Sequence, residues 1–436
     1  MWTRRKWLLS SSAVMAGALT ANAQPSADTA LTAEAKLNPL SEAPDWSGLK
    51  SLAETMTRAD FELAMTKVYG SGSPFPAPWT VGAERLSVQT KPGQGNAEII
   101  FAPNPQSLKK GNRYWRKASE LTPLDDGKGP LSGLHIALDP GHIGGAYAQM
   151  EERWLSMDSG QTVVMEGSIV LQVANLLRPR LEALGAQVSF VRSQDAPVTT
   201  AKLEDFHGLA RKILEEAGIT NPPETYTDRL DDRRIISVQW QAEKLFYRVS
   251  EIRARAHRVN HDLRPDLVLC LHLNAEPWGD PKNPEFVEKN HMHLLVNGCY
   301  APEELQYEDT RFEMLNRVFN HTHVEELALA DTVATALAAT TKLAPYVYNT
   351  QNARRVSDNA YVYARNLLAN RLYQCPVLYF EPYVMNHEMT YKRLVLGHYI
   401  GRTLVSQELV TSPLEDYTRG VLRGLEAYYR RTRATT

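Results

Sequence analysis

Four short apolar runs in this 436-residue chain each end at a residue that could bind a metal ion or assist its chemistry. Such runs, bounded by turn residues, are typical of buried strands in an α/β sheet, where ligands collect at the carboxyl ends of the strands. Two imidazoles and one carboxylate are a hydrolytic zinc set that leaves one coordination position for water, and a further glutamate can accept a proton from that water. The runs are Leu134 to His142, Val163 to Glu166, Leu267 to His272 and Pro376 to Glu381.

Local spacing cannot bring these residues together. Glu166 follows His142 by 24 residues, and His272 follows Glu166 by 106. Only the fold can place them at one site, so a metal centre is a prediction about tertiary structure.

The same residues lie in motifs whose order resembles that of zinc-dependent N-acetylmuramoyl-L-alanine amidases of the Amidase_3 type. The resemblance covers about 134–395 and rests on several blocks in family order. These blocks are Asp139-Pro140-Gly141-His142-Ile143-Gly144-Gly145, Glu166 opening a helix, Arg192 with Asp195, Arg255 to Asn260, His272-Leu273-Asn274-Ala275, and Pro376 to Glu381 followed by Asn386.

The resemblance implies a function and a role for each site residue. It implies one zinc ion per chain, held by His142, Glu166 and His272, with Glu381 as general base. The substrate would be peptidoglycan, cut between N-acetylmuramic acid and L-alanine. Asn274 is predicted to contact substrate, because it lies two residues beyond a ligand and on the same strand face. Arg192, Asp195 and Arg255 are expected to support the site rather than react.

The chain departs from the family pattern in three respects. Gly167 stands where the family usually has lysine, and no glycine follows Glu381, so that Asn386 comes one residue early. The segments 143–165, 200–250 and 276–325 are also longer than in minimal members. None of these changes removes a predicted ligand, and they leave the shape of the substrate groove open.

Two other functions remain open on the sequence. A zinc carboxypeptidase on a related fold would need an arginine for a terminal carboxylate, and Arg153 or Arg365 could supply it. A catalytically silent wall-binding regulator is the third possibility, although all four site residues are present.

The insertion at 276–325 could carry an occluding helix that an activator protein displaces. An acidic stretch at 303–317 is the candidate for that helix. The alternative is a helix that buries an apolar stripe and supports the fold.

The fold class predicted is α/β, a mostly parallel twisted sheet with helices on both faces, preceded by a small α+β N-terminal domain. The first residues carry a basic region, a short apolar run and an Ala-x-Ala site, which predicts a removed export signal and a periplasmic or extracellular location. Arg4 and Arg5 also fit a twin-arginine signal. The predicted parts are a signal at 1–23, a linker at 24–45, the small domain at 46–125, and the zinc amidase domain at 131–436 with insertions at about 200–250 and 276–325.

Alternating patterns locate the elements of the catalytic part. Strands are expected at 134–138, 186–192, 266–272, 291–297 and 376–380. Helices are expected at 166–184, 202–217, 230–261, 324–342 and 413–430.

The composition argues against a nucleic-acid partner and against a membrane span. The net charge of −2 gives no sign of a nucleic-acid partner, and no stretch is long and apolar enough to predict a transmembrane segment.

The odd cysteine count, with Cys270 and Cys375 in core strands, favours buried free thiols over disulfides. The pairs His291/His293 and His321/His323 are expected to be surface or packing histidines rather than ligands.

Overall fold

The computed structural model describes residues 36–72, 78–90, 95–124, 129–158, 160–277, 279–280 and 283–434. The predicted export signal at 1–23 lies outside these residues. No helix in the described ranges is both long and apolar enough to cross a bilayer.

Helices and strands alternate along most of the chain. The strands are β1 Trp79–Val81, β2 Arg85–Gln89, β3 Asn96–Ile100, β4 His135–Pro140, β5 Trp154–Leu155, β6 Val164–Met165, β7 Gln187–Phe190, β8 Leu267–Leu271, β9 Gly279–Asp280, β10 Asn283–Pro284, β11 His291–Val296, β12 Ala344–Pro345, β13 Arg354–Arg355, β14 Val362–Ala364, β15 Val377–Pro382, β16 Thr403–Val405 and β17 Glu408–Val410. The α-helices are α1 Arg58–Ala64, α2 Glu166–Ala183, α3 His207–Glu216, α4 Val238–Lys244, α5 Glu251–His257, α6 Glu308–Phe319, α7 Thr322–Thr341, α8 Leu368–Leu372, α9 Glu388–Val395 and α10 Pro413–Arg433.

The main sheet has eight strands and is mostly parallel, which confirms the predicted fold class. Its order is β13-β14-β11-β15-β8-β4-β7, with β12 also paired to β11. The four strands from β15 to β7 run parallel to their neighbours. The direction reverses between β15 and β11 and between β14 and β13, whereas β11 is parallel to β12 and β14. Parallel β4, β8 and β15 therefore bring their carboxyl ends to one edge.

Helices cover both faces of this sheet, because the central strands are apolar on both sides. On β8, Leu267, Leu269 and Leu271 belong to the large core formed with α2, α7 and α10. Val268 and Cys270 point to the other face, into a smaller core that includes residues of α5 and α8. Cys270, like Cys299 and Cys375, is free and buried, as expected.

One long helical segment spans 238–263 and covers the second face near the site. It consists of α4, π-helical turns at Leu245–Ser250, α5, and further π-helical turns at Arg258–Leu263. The predicted helix at 230–261 corresponds to this segment, and α3 packs against α4.

The N-terminal part packs directly on the rest of the protein. Its strands β1, β2 and β3 form a separate antiparallel sheet. Phe61 of α1 and Phe101 lie 5.6 and 6.1 Å, ring centre to ring centre, from Phe319 of α6. Asn38, in the predicted linker, donates to the Asp309 carboxylate from its backbone and its side chain. These contacts join residues 36–124 to α6.

Helix α6 is the acidic helix proposed from the sequence as a lid. Its first carboxylates are buried and hydrogen-bonded, with Trp46 Nε1 donating to Glu308 over 2.6 Å. Met314, Leu315 and Phe319 are fully buried in the large core. This packing agrees with the alternative in which the segment supports the fold.

Candidate metal centre

The structure brings His142, Glu166 and His272 together at the edge where β4 and β8 end. One potential ligand atom from each lies within 4.8 Å of the other two. His142 Nε2 is 3.3 Å from Glu166 Oε2, and His272 Nδ1 is 3.1 Å from Glu166 Oε1. The two imidazole rings lie 5.1 Å apart at an angle of 80°, so both can present a nitrogen to one point.

The loop after β4 turns sharply to present His142. Its backbone φ of 54° is in the left-handed region, which costs energy for a residue with a side chain. Arg255 donates to the His142 carbonyl over 2.7 Å, and Arg192 donates to the Gly141 carbonyl over 3.3 Å. The two arginines therefore hold the loop in place, which is the supporting role predicted for them.

Glycines allow this loop to approach the first turn of α2. A Cβ on Gly167 would lie 2.5 Å from the backbone nitrogen of Gly144, where no side chain fits. A glycine at 167 is thus required by this chain's own packing.

The three residues fit a zinc ion. Glu166 is 1% exposed, and its Oε2 atom is buried without a hydrogen bond of acceptable geometry from the described residues. The neighbours of this oxygen are His142 Nε2 at 3.3 Å and Arg153 Nε at 3.2 Å, and a cation between the ligand atoms would bind it directly. The imidazoles of His142 and His272 outweigh burial and hold the pKa of Glu166 well below its usual range, so the carboxylate stays ionised. Burial lowers the pKa of His272, which favours the neutral imidazole that binds metals.

Glu151 is a site residue that sequence reasoning missed. Its carboxylate is 2% exposed and accepts hydrogen bonds from the backbone nitrogens of Ile143 and Gly144. One oxygen lies 3.6 Å from His142 Nδ1, on the side of the ring away from Glu166. A carboxylate behind a ligand histidine orients the ring. Glu151 lies in the insertion at 143–165, where no pattern marked it.

Glu381 lies on β15, the strand next to His272. Phe380 pairs with Leu271, and the backbone nitrogen of His272 donates to the Phe380 carbonyl over 3.1 Å. Glu381 therefore lies beside His272 in the sheet. Burial and the nearby charge of Glu166 raise the pKa of Glu381 well above its usual range. The ring of Tyr379 stacks on His272 at 4.3 Å and fixes its plane.

Asn274 is partly exposed just beyond His272. Its backbone bonds to both Tyr383 and Met385, which extends the pairing of β8 and β15 past the strand ends. Its side-chain oxygen accepts from the Ala275 nitrogen over 2.8 Å. The predicted contact between Asn274 and substrate stays a prediction.

Arg153 also reaches the metal centre. Its Nε atom is 3.2 Å from Glu166 Oε2, and its side chain is 33% exposed. The charges of Arg153 and Arg365 both act to lower the pKa of Glu381, although burial outweighs them. The two arginines named for a peptidase are therefore near the predicted base.

The remaining histidines pack rather than form a second centre. His291 bonds to Glu276 over 2.9 Å, and His293 bonds to the Tyr348 hydroxyl over 2.9 Å. His321 bonds to the Thr55 carbonyl. Across the described ranges, His142, Glu166 and His272 are the one group of three or more such residues close enough to hold a metal ion.

Comparisons with known proteins gave matches in structure alone. No protein-family model matches the sequence. No curated protein matches it either.

The chain is similar to N-acetylmuramoyl-L-alanine amidases of known structure. The apo form of Ami1 from Mycobacterium abscessus is 18% identical, with 68% of this chain and 99% of that one covered, at a TM-score of 0.35. CwlD from Clostridioides difficile, solved in complex with the GerS lipoprotein, is 14% identical, with coverages of 68% and 98% and a TM-score of 0.36. AmiC2 of Nostoc punctiforme is 13% identical, with coverages of 70% and 100% and a TM-score of 0.33.

Proposed function

We propose that this chain is a zinc-dependent N-acetylmuramoyl-L-alanine amidase. The observation that supports this function most is the convergence of potential ligand atoms of His142, Glu166 and His272 within 4.8 Å of one another, with Glu381 on the adjoining strand. Two imidazoles and a carboxylate, with one position left open, are the ligand set of hydrolytic zinc sites.

The proposed mechanism needs a bound zinc ion and a residue that moves a proton from water to the leaving amine. A zinc ion held by His142, Glu166 and His272 would polarise an amide carbonyl and make water more acidic. Glu381 accepts the proton from the attacking water and returns it to the leaving amine of L-alanine. Glu151, Arg192 and Arg255 hold His142 and its loop in position for this step.

The substrate assignment rests on the order of the sequence motifs. We propose peptidoglycan as the substrate, residues 131–436 as the catalytic part, and export to the periplasm or outside the cell. Residues 46–125 are proposed to support the fold through Phe319. An activator protein that displaces a helix in 276–325 stays a prediction, and α6, the helix in the candidate stretch, packs into the large core.

Metal analysis and product analysis together test this function. We expect one zinc per chain, lost in His142→Ala and His272→Ala while the helical and strand content stays unchanged. Digestion of sacculi should release peptides that begin with a free L-alanine amine, as seen by mass spectrometry. Glu381→Gln should keep zinc and lose about 10²–10⁴-fold in rate, because an amide cannot accept the proton. Full zinc occupancy in both histidine variants would exclude this metal centre.

Arg153 favours one second candidate, a zinc carboxypeptidase. Its guanidinium lies 3.2 Å from the predicted ligand Glu166, where it could bind a terminal carboxylate. Such an enzyme would release the last residue of a peptide and leave the muramoyl amide intact. The same product analysis separates the two functions.

A further inference from the structure

A cluster of positive charge lies around Glu152, on the insertion that forms α4. We call Arg234, Lys244 and Arg248 the basic cluster. Arg234 Nη2 and Lys244 Nζ each lie 3.0 Å from the same oxygen, Glu152 Oε1. Lys244 Nζ and Arg248 Nε both donate to the Tyr247 hydroxyl, over 2.7 and 3.0 Å.

The basic cluster has more positive than negative charge. Arg234 and Lys244 share the single carboxylate of Glu152, whereas Arg248 donates to the Tyr247 hydroxyl. The neighbouring Glu243 is already paired with Arg229 at 3.2 Å. Burial and the repulsion of Arg248 lower the pKa of Lys244 to about 7, even with Glu152 beside it. An additional anion would therefore stabilise the charged form of this buried amine.

Arg153 connects the basic cluster to the metal centre. Its Nη1 donates to the carbonyl of Glu152 over 3.0 Å, while its Nε lies 3.2 Å from Glu166 Oε2. The side chains of Arg153 and Arg234 are 33% and 20% exposed, so solvent reaches both ends of this path. The adjacent residues Glu152 and Arg153 therefore link the basic cluster to Glu166.

We propose that the basic cluster binds a carboxylate of the substrate on the peptide side of the scissile bond. This inference rests on the proposed function, since the muramoyl carboxyl group is consumed in the amide and the free carboxylates belong to the peptide. Arginine and lysine form charge-assisted hydrogen bonds with carboxylates, which are about twice as strong as those between neutral groups. The basic cluster thus fixes which end of the substrate lies over α4.

Binding to an inactive variant tests the inference independently of turnover. The full chain carrying Glu381→Gln is titrated calorimetrically with two probes, N-acetylmuramoyl-L-alanyl-D-glutamate and its diamide, which lacks free carboxylates. Arg248→Gln removes one cation that donates to the Tyr247 hydroxyl, and Glu152 keeps both Arg234 and Lys244. Arg248→Lys restores the charge. Arg233→Gln is the matched control, because Arg233 is exposed and paired with its own Asp231.

The acid is expected to bind about tenfold or more tightly than the diamide. Arg248→Gln should remove most of that difference by weakening the acid alone, Arg248→Lys should recover it, and Arg233→Gln should leave it unchanged. Equal affinities for the two probes, no binding of either, or an equal loss for both in Arg248→Gln would overturn the inference. Failure of the proposed function would instead show as unchanged sacculi with the wild-type chain, whatever the probes do.

Discussion

Replacing Gly141 by alanine should disable the metal centre while sparing the fold. A Cβ at this position would overlap the Cε1, Nε2 and Nδ1 atoms of the His272 ring, well inside the 3.0 Å that real Cβ atoms keep. The nearest ring atom would be 2.1 Å from the new Cβ, and ordinary contact begins at 3.4 Å, so the ring would have to move by about 1.3 Å. A close-packed interior cannot absorb a shift of that size without strain. Zinc–ligand distances tolerate only about 0.2 Å of error.

Two consequences of Gly141→Ala can be measured. Zinc affinity should fall by about tenfold to a hundredfold or more, as when a ligand's orientation is disturbed. The free energy of unfolding without added metal should fall by about 1–3 kcal/mol, the usual cost of overpacking. A competing chelating dye reports the affinity, and urea unfolding followed by circular dichroism reports the stability.

Gly208→Ala is the matched control for this experiment. Gly208 lies in α3, where a Cβ would meet nothing within 4 Å. This variant should bind zinc normally and gain about 0.5–1 kcal/mol of stability from helix propensity. Wild-type zinc affinity in Gly141→Ala would refute the placement of His272 against the β4 loop.

Three further predictions concern packing and pH. Gly167→Ala should destabilise the junction of α2 with the β4 loop and lower the zinc content, because its Cβ would lie 2.5 Å from the backbone nitrogen of Gly144. An unchanged free energy of unfolding together with an unchanged zinc content would contradict that packing. Phe319→Ala should lower the free energy of unfolding, measured in urea, by about 3–5 kcal/mol, because Phe319 is fully buried. It should not raise basal digestion of peptidoglycan; a rise would support the hypothesis that α6 is a lid. Burial lowers the pKa of His323 to about 3, so the unfolded chain takes up this proton below about pH 6.5 while the folded chain does not. The contribution of His323 to the free energy of unfolding should therefore fall by about 1.4 kcal/mol per pH unit as the pH drops from 6.5 towards 3. Urea unfolding at several pH values between 6.5 and 4.5 gives the slope of stability against pH, which His323→Gln should reduce. The same slope in the wild type and in His323→Gln would refute this contribution.

The sequence alone determined the elements that carry the predicted ligands. The strand ending before His142, the helix opening at Glu166 and the strand ending before His272 appear within a few residues of their expected bounds. Short apolar runs and turn glycines act over a few residues, so a single sequence reveals them. The family motif then supplied the expectation that these ends meet.

Only the tertiary structure decided what surrounds the ligands. Glu151 and Arg153 lie in an insertion without a helical or strand period, and their roles come from contacts with the β4 loop and Glu166. The basic cluster joins Glu152 to Lys244, 92 residues later in the chain, through one packed helix. The burial of α6 likewise depends on residues 36–124, far away in sequence. Contacts between distant segments depend on how whole elements pack, and no local pattern records them.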